Sequence, residues 1–85
     1  MRTVLVVDDE AQQRAQIDRA LVQAGYQVEE ASGGNEALAR LKEKRYDLLV
    51  TDLMMEEGTG FEVLAWVREN APGLSVVICS AYAKP

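Results

Sequence analysis

Residues 4–10 read Val4-Leu5-Val6-Val7-Asp8-Asp9-Glu10. Four apolar, mostly β-branched side chains give way abruptly to three acids. An apolar run of this length without polar alternation predicts a short strand buried on both faces. The pattern recurs twice: Leu48-Leu49-Val50 runs into Thr51-Asp52, and Val76-Val77-Ile78-Cys79 runs into Ser80. Segments of helical period separate these runs. Ile17, Ala20, Leu21 and Ala24 share one face of a helix over 11–24 that Gly25 stops. Tyr26–Ala31 sets Val28 among polar neighbours, which predicts a strand nearer a sheet edge. Ser32-Gly33-Gly34-Asn35 predicts a turn, with Asn35 as N-cap of a helix over 36–44 whose inner stripe is Ala37, Leu38 and Leu41. After a loop over 56–60, Val63, Leu64 and Val67 face inward from a helix over 61–69, which Ala71-Pro72-Gly73 ends. Strict strand–helix alternation implies a parallel sheet covered on both faces: an α/β, doubly wound fold. Crossover handedness then fixes most of the topology.

The chain has 85 residues, enough for one small domain and too few for two. A domain this small buries about 60–70% of its extended surface, so the core is thin. Nine basic and 14 acidic residues give a net charge of −5, with no basic patch of the kind that binds nucleic acid. The longest apolar run is Val63–Val67, far short of the about 20 residues of a membrane span, and no signal peptide is visible. A cytoplasmic location away from membranes is therefore expected. Histidine is absent, which removes imidazole catalysis and imidazole metal ligands. Cys79 is the single cysteine, so an internal disulfide and a thiolate zinc site are excluded. Oxygen ligands remain, and they suit magnesium, manganese or calcium.

Asp8 and Asp9 follow the first strand, Asp52 the third and Ser80 the fourth. In a doubly wound sheet, ligands bind beyond the carboxyl ends of the strands, where the strand order reverses. Parallel neighbours lie about 4.8 Å apart, so these side chains can converge. Packed carboxylates repel, and a divalent cation relieves the repulsion. An Asp after a strand is also a common helix N-cap, and Asp8 or Asp9 could cap the helix starting near Ala11. Capping alone does not account for acids at two strand ends with a hydroxyl at another. Asp52 is the candidate nucleophile, since a carboxylate attacking a phosphoryl group forms an aspartyl phosphate. Ser80 would donate a hydrogen bond to the phosphate.

These residues resemble the receiver domain of two-component response regulators. The resemblance is carried by Val4–Val7 with Asp8-Asp9-Glu10, by Asp52-Leu53-Met54-Met55 with Gly60, and by Val76–Cys79 with Ser80-Ala81, and it covers essentially the whole chain. It implies a flavodoxin-like receiver fold, truncated after the fourth strand. Residues 1–85 would then be a single receiver domain lacking the family's final helix–strand–helix. By this resemblance Asp52 is the phosphoacceptor, and Asp9 holds Mg2+ directly while Asp8 holds it through water. Asp52 and the backbone carbonyl of Met54 complete the metal ligands, and Mn2+ could replace Mg2+. Ser80 is the switch hydroxyl, Ala81 leaves room for the phosphoryl group, and Met54 and Tyr82 stand where the family tunes phosphate loss.

The implied partner is a sensor histidine kinase or a phosphotransfer protein, and the chain is not an enzyme beyond promoting its own phosphoryl transfer and dephosphorylation. Two departures stand out. Glu56 occupies the place of a usual proline, and the family's later lysine is matched in letters alone by Lys84, four residues beyond Ser80. A different class of reading is a receiver-derived interaction module that does not signal by phosphate. With the fourth strand as an edge, the chain is expected either to be marginally stable or to self-associate through that strand. A magnesium phosphohydrolase would want an acid where Met54 stands. A flavin or nucleotide domain would want a glycine- or hydroxyl-rich loop in place of Asp8-Asp9-Glu10.

Overall fold

A computed structural model describes residues 2–53 and 59–79. Its elements are β1 (Thr3–Val7), α1 (Ala11–Gln23), β2 (Gln27–Ala31), α2 (Gly34–Glu43), β3 (Leu48–Thr51), α3 (Gly60–Asn70) and β4 (Ser75–Ile78). All strand pairs are parallel, in the order β2-β1-β3-β4. This is the alternation read from the sequence, with β1 in the middle of the sheet and β2 at one edge.

The alternating pleat of β1 divides the core in two. Leu5 and Val7 join Leu49, Ala37, Leu41, Val63 and Val67 on the side covered by α2 and α3. Val4 and Val6 join Val50 on the other side, against Ile17 and Leu21 of α1. β1 is therefore apolar on both faces because both faces are packed. Its amino end is tied to β3, with Thr3 N donating to Asp47 Oδ2 at 2.8 Å and Asp47 N donating to Thr3 O at 2.8 Å. Asp47 thus lies at the end of the sheet opposite Asp52.

Three local expectations are corrected. Asn35 does not cap α2. The helix starts at Gly34 behind an extended Gly33, and Glu36 reaches back to accept from both the amide and the hydroxyl of Ser32, each at 2.9 Å. The incoming chain is thereby held without Asn35. The helix α3 begins at Gly60, one residue earlier than expected, because Thr59 accepts from Glu62 N while the Glu62 carboxylate accepts from Thr59 N, a reciprocal capping box. Finally, β4 is not fully buried: Val77 and Ile78 are 46% and 49% exposed. Only one side of its backbone pairs within the described residues, to β3.

Edge strand β2 carries its own ionic cluster. Glu29 accepts from Tyr46 Oη at 2.6 Å and from Lys44 Nζ, with Arg40 beside it. The bond from Lys44, followed by that from Tyr46, holds the Glu29 carboxyl below the usual range. Burial and the same contact push Tyr46 up to about 12. Glu29's contribution is complete above the ordinary glutamate range and is lost as pH falls through its lowered folded value. Tyr46's contribution is complete below the ordinary tyrosine range and is lost as pH rises through about 12. Glu29→Gln should therefore flatten the acid limb of a stability–pH profile. Tyr46→Phe should cost about 1.5 kcal/mol in denaturant unfolding at neutral pH, the low end for a hydrogen bond to a charged group that is partly open to solvent.

Candidate acidic site at the strand ends

The connection leaving β1 runs to β2 on one side and the connection leaving β3 runs to β4 on the other, so a crevice opens where β1 and β3 end. Asp52 N donates to Val7 O at 3.1 Å, which keeps the end of β3 in register beside β1. Asp8 N donates to Ala31 O at 3.1 Å and ties the end of β1 to β2. Backbone pairing thus carries both acid-bearing ends into one place.

Asp8, Asp9 and Asp52 each offer a carboxylate oxygen within 4.8 Å of the others. Asp8 and Asp52 are buried, at 1% and 5% exposure, while Asp9 is exposed. Asp8 Oδ1 accepts from Glu10 N at 2.9 Å. Asp8 Oδ2 is buried with no hydrogen-bond partner. Burial, above all, pushes the Asp8 carboxyl up, and the charges of Asp52, Asp9 and Glu10 push the same way against the bond from the Glu10 amide. An orphaned carboxylate oxygen facing two further carboxylates fits a hard divalent cation, which takes oxygen ligands.

Neither Asp8 nor Asp9 is the N-cap of α1. Glu10 is, its Oε1 accepting from Gln13 N at 2.8 Å. Capping of α1 therefore falls to Glu10 and not to the aspartate pair. One consequence is testable without any metal. Asp8 ionises at a cost in the fold, so its protonation as pH falls through the raised value relieves the fold. Asp8→Asn keeps an acceptor for Glu10 N–H and removes the charge. Its thermal midpoint in metal-free buffer should exceed the parent's at neutral pH. A lower midpoint would show that the cluster is not repulsive.

A sequence model of the response regulator receiver domain matches residues 4–85. The chain belongs to that family. The receiver is similar to the transcriptional regulatory protein ResD of Bacillus subtilis, 44% identical over 67 residues, which are 79% of this chain and 28% of ResD. Among solved structures it resembles the response regulator TrrA of Thermotoga maritima in complex with Mg2+-BeF. The TM-score there is 0.92 and the identity 32%, covering 98% of this chain and 72% of that one. It also matches TrrA in complex with the histidine kinase ThkA, at a TM-score of 0.89 and 32% identity, over 99% of this chain and 72% of the other. The receiver thus spans well under a third of ResD and about seven-tenths of the TrrA chains. The doubly wound receiver fold and a place in two-component signalling follow from these likenesses.

Asp8, Asp9 and Asp52 are therefore brought together as the sequence suggested. Ser80, Met54, Ala81, Tyr82 and Lys84 lie outside the described residues. No described helix is long and apolar enough to cross a membrane.

Two contributors gain their role at the site only from the structure, although Gly60 was among the residues that carried the resemblance. Gly60, first residue of α3, donates its N–H to Leu53 O at 3.1 Å. A Cβ built there would sit 2.7 Å from Leu53 Cα and closer still to the Asp52 carbonyl oxygen. Arg14 Nη1 donates to Asp8 O at 2.7 Å. The Thr59-to-Glu62 spacing could have announced the start of α3, whereas nothing local to Arg14 points to Asp8.

Proposed function

We propose that this receiver is the phosphoacceptor of a two-component phosphorelay and that Asp52 takes the phosphoryl group. The observation that carries the reading is the convergence of the Asp8, Asp9 and Asp52 carboxylates at the crevice between β1 and β3. The likeness to TrrA, known in complex with Mg2+-BeF and with a histidine kinase, supports both the cation and the donor. On this reading residues 1–85 act as one receiver unit in the cytoplasm.

Asp8, Asp9 and Asp52 would hold Mg2+, with the Met54 backbone carbonyl as a further ligand, and Mn2+ would substitute. The cation supplies neutralisation of the charge on the phosphoryl oxygens. A carboxylate oxygen of Asp52 attacks the phosphorus of a phosphohistidine on a sensor kinase or phosphotransfer protein. The O–P bond forms, the P–N bond breaks, and the electron pair stays on the imidazole nitrogen, which takes up a proton. The buried setting of Asp52 excludes water from the approach, and the Val7–Asp52 backbone bond holds the nucleophile beside the aspartate pair. Ser80 would donate to a phosphoryl oxygen. The chain turns over no substrate other than its own phosphoryl group.

Intact-mass analysis after incubation with Mg2+ and a small phosphodonor such as acetyl phosphate tests this. One acid-labile adduct is expected on the parent and on Asp47→Asn, and none on Asp52→Asn. A parent that takes no phosphate, or an Asp52→Asn variant that still does, would overturn it.

A second reading, a receiver-derived module that works by association, rests on β4. Val77 and Ile78 are about half-exposed, and the strand is apolar on both faces. Such an edge invites a second chain. Light scattering should then show mass rising with concentration, and Val77→Lys should suppress the rise. A parent that stays monomeric at every concentration, unaffected by that charge, excludes this reading.

A further inference from the structure

We propose that Arg14 is a positioning residue for the acidic pocket, fixing the Asp8–Asp9 peptide from which the metal-binding carboxylates project. The proposal rests on the phosphoacceptor reading above. Arg14 sits in the second turn of α1, its own N–H donating to Glu10 O at 3.0 Å. Its Nη1 donates to Asp8 O at 2.7 Å and its Nε to Glu30 Oε1 at 2.8 Å. The side chain is only 18% exposed. One guanidinium thus joins three elements: α1, which carries it; the strand end of β1, which carries the acids; and β2, which carries Glu30.

The polar atoms of Asp8 show what this does. Its N–H is held by Ala31 O, its Oδ1 by Glu10 N–H and its carbonyl by Arg14. Oδ2 alone is left for the pocket. The Asp8 carbonyl belongs to the same peptide plane as Asp9 N–H, so gripping that oxygen fixes the direction in which the Asp9 chain leaves β1. Asp9 is exposed and has less packing around it than Asp8 to set its position. Glu30 in turn anchors the guanidinium from the residue next to Ala31, the one that receives Asp8 N–H. Arginine suits the task because its fork offers two donors at fixed spacing, whereas a lysine ammonium is a single point on a flexible stem.

Arg14 is also a positive charge near the pocket. If charge were its whole influence, removing it would tighten cation binding. If it positions the ligands, removing it weakens binding. Calorimetric titration with Mg2+ of the parent, Arg14→Met and Arg14→Lys separates the two. Arg14→Met should raise the Mg2+ dissociation constant roughly tenfold, the low end of what loss of a supporting contact costs a metal site. Arg14→Lys, which keeps the charge and loses the fork, should raise it by a smaller factor of roughly three. The half-saturating Mg2+ for adduct formation should rise in parallel, while the rate at saturating Mg2+ changes less. A purely structural role would lower the thermal midpoint and leave both Mg2+ constants of the folded protein in place. Arg14→Met binding Mg2+ as tightly as the parent, or more tightly, overturns the proposal. Should Arg14→Met not fold, an unchanged dissociation constant for Arg14→Lys overturns it equally. A parent that binds no Mg2+ at all would instead remove the phosphoacceptor reading on which the proposal depends.

Discussion

Asp9→Ala should abolish measurable Mg2+ binding, and Asp8→Asn should weaken it. The pocket concentrates three carboxylates whose oxygens lie within 4.8 Å of one another, and Asp9 is the member exposed to the entering ion. Two unit charges about 4 Å apart at an effective dielectric near 20 interact by ~4 kcal/mol. Part of that is returned as relief of repulsion among the acids left behind. A net weakening of roughly two orders of magnitude is expected for Asp9→Ala, enough to take a readily exchanging Mg2+ site out of range. Asp8→Asn keeps the oxygen that accepts from Glu10 N–H and places an NH2 where the pocket-facing Oδ2 stood; because Asp8 is expected to hold the ion only through water, its loss should be smaller, roughly tenfold. Calorimetric titration reads both. An Asp9→Ala variant that binds Mg2+ as the parent does would remove the pocket from the account.

The acids were legible because a parallel sheet makes strand ends predictable. An apolar run buried on both faces can stop only where the sheet stops, so Asp8-Asp9 and Asp52 had to emerge at the carboxyl end. Their convergence needed only that β1 and β3 be neighbours, as they are. What stayed hidden depends on contacts between elements. Arg14 meets Asp8 six residues away only because α1 turns back across the strand end, and Glu30 joins them from β2. Asn35 misled because any polar residue after two glycines can cap a helix, and Glu36 competed successfully by reaching back to Ser32. The burial of β4 was overestimated for a related reason. A run such as Val76–Cys79 signals apolar faces, and whether they are covered depends on what packs against them. Leu49 and Val50 of β3 are buried, while Val77 and Ile78 of β4 remain half-open.

Gly60→Ala is expected to be strongly damaging for a single added methyl. Glycine opens α3 where the helix meets the backbone beneath Asp52. An added Cβ would lie 2.7 Å from Leu53 Cα, and the obstacle is main chain that cannot rotate away. Either α3 lifts from the sheet or the end of β3 moves. The first opens the packing of Val63 and Val67 against Leu5 and Leu49, all of them buried. The second displaces Asp52 from Asp8 and Asp9. Overpacking of this kind costs about 3 kcal/mol, a large share of the stability of so small a core. Denaturant unfolding should show the midpoint shifted down with little change in slope. Adduct formation at a temperature where the variant remains folded should fall as well. A Gly60→Ala variant as stable and as reactive as the parent would contradict the close approach of α3 to the end of β3.

On the phosphoacceptor reading Asp52, held beside an aspartate pair, is the destination of the phosphoryl group. Borohydride reduction reads this directly, because it converts an aspartyl phosphate to homoserine at the modified residue and leaves free carboxylates unchanged. After exposure to a phosphodonor with Mg2+, reduction and peptide sequencing by mass spectrometry should place homoserine at position 52 alone. Homoserine at position 8, 9 or 47, with position 52 unmodified, would contradict the account.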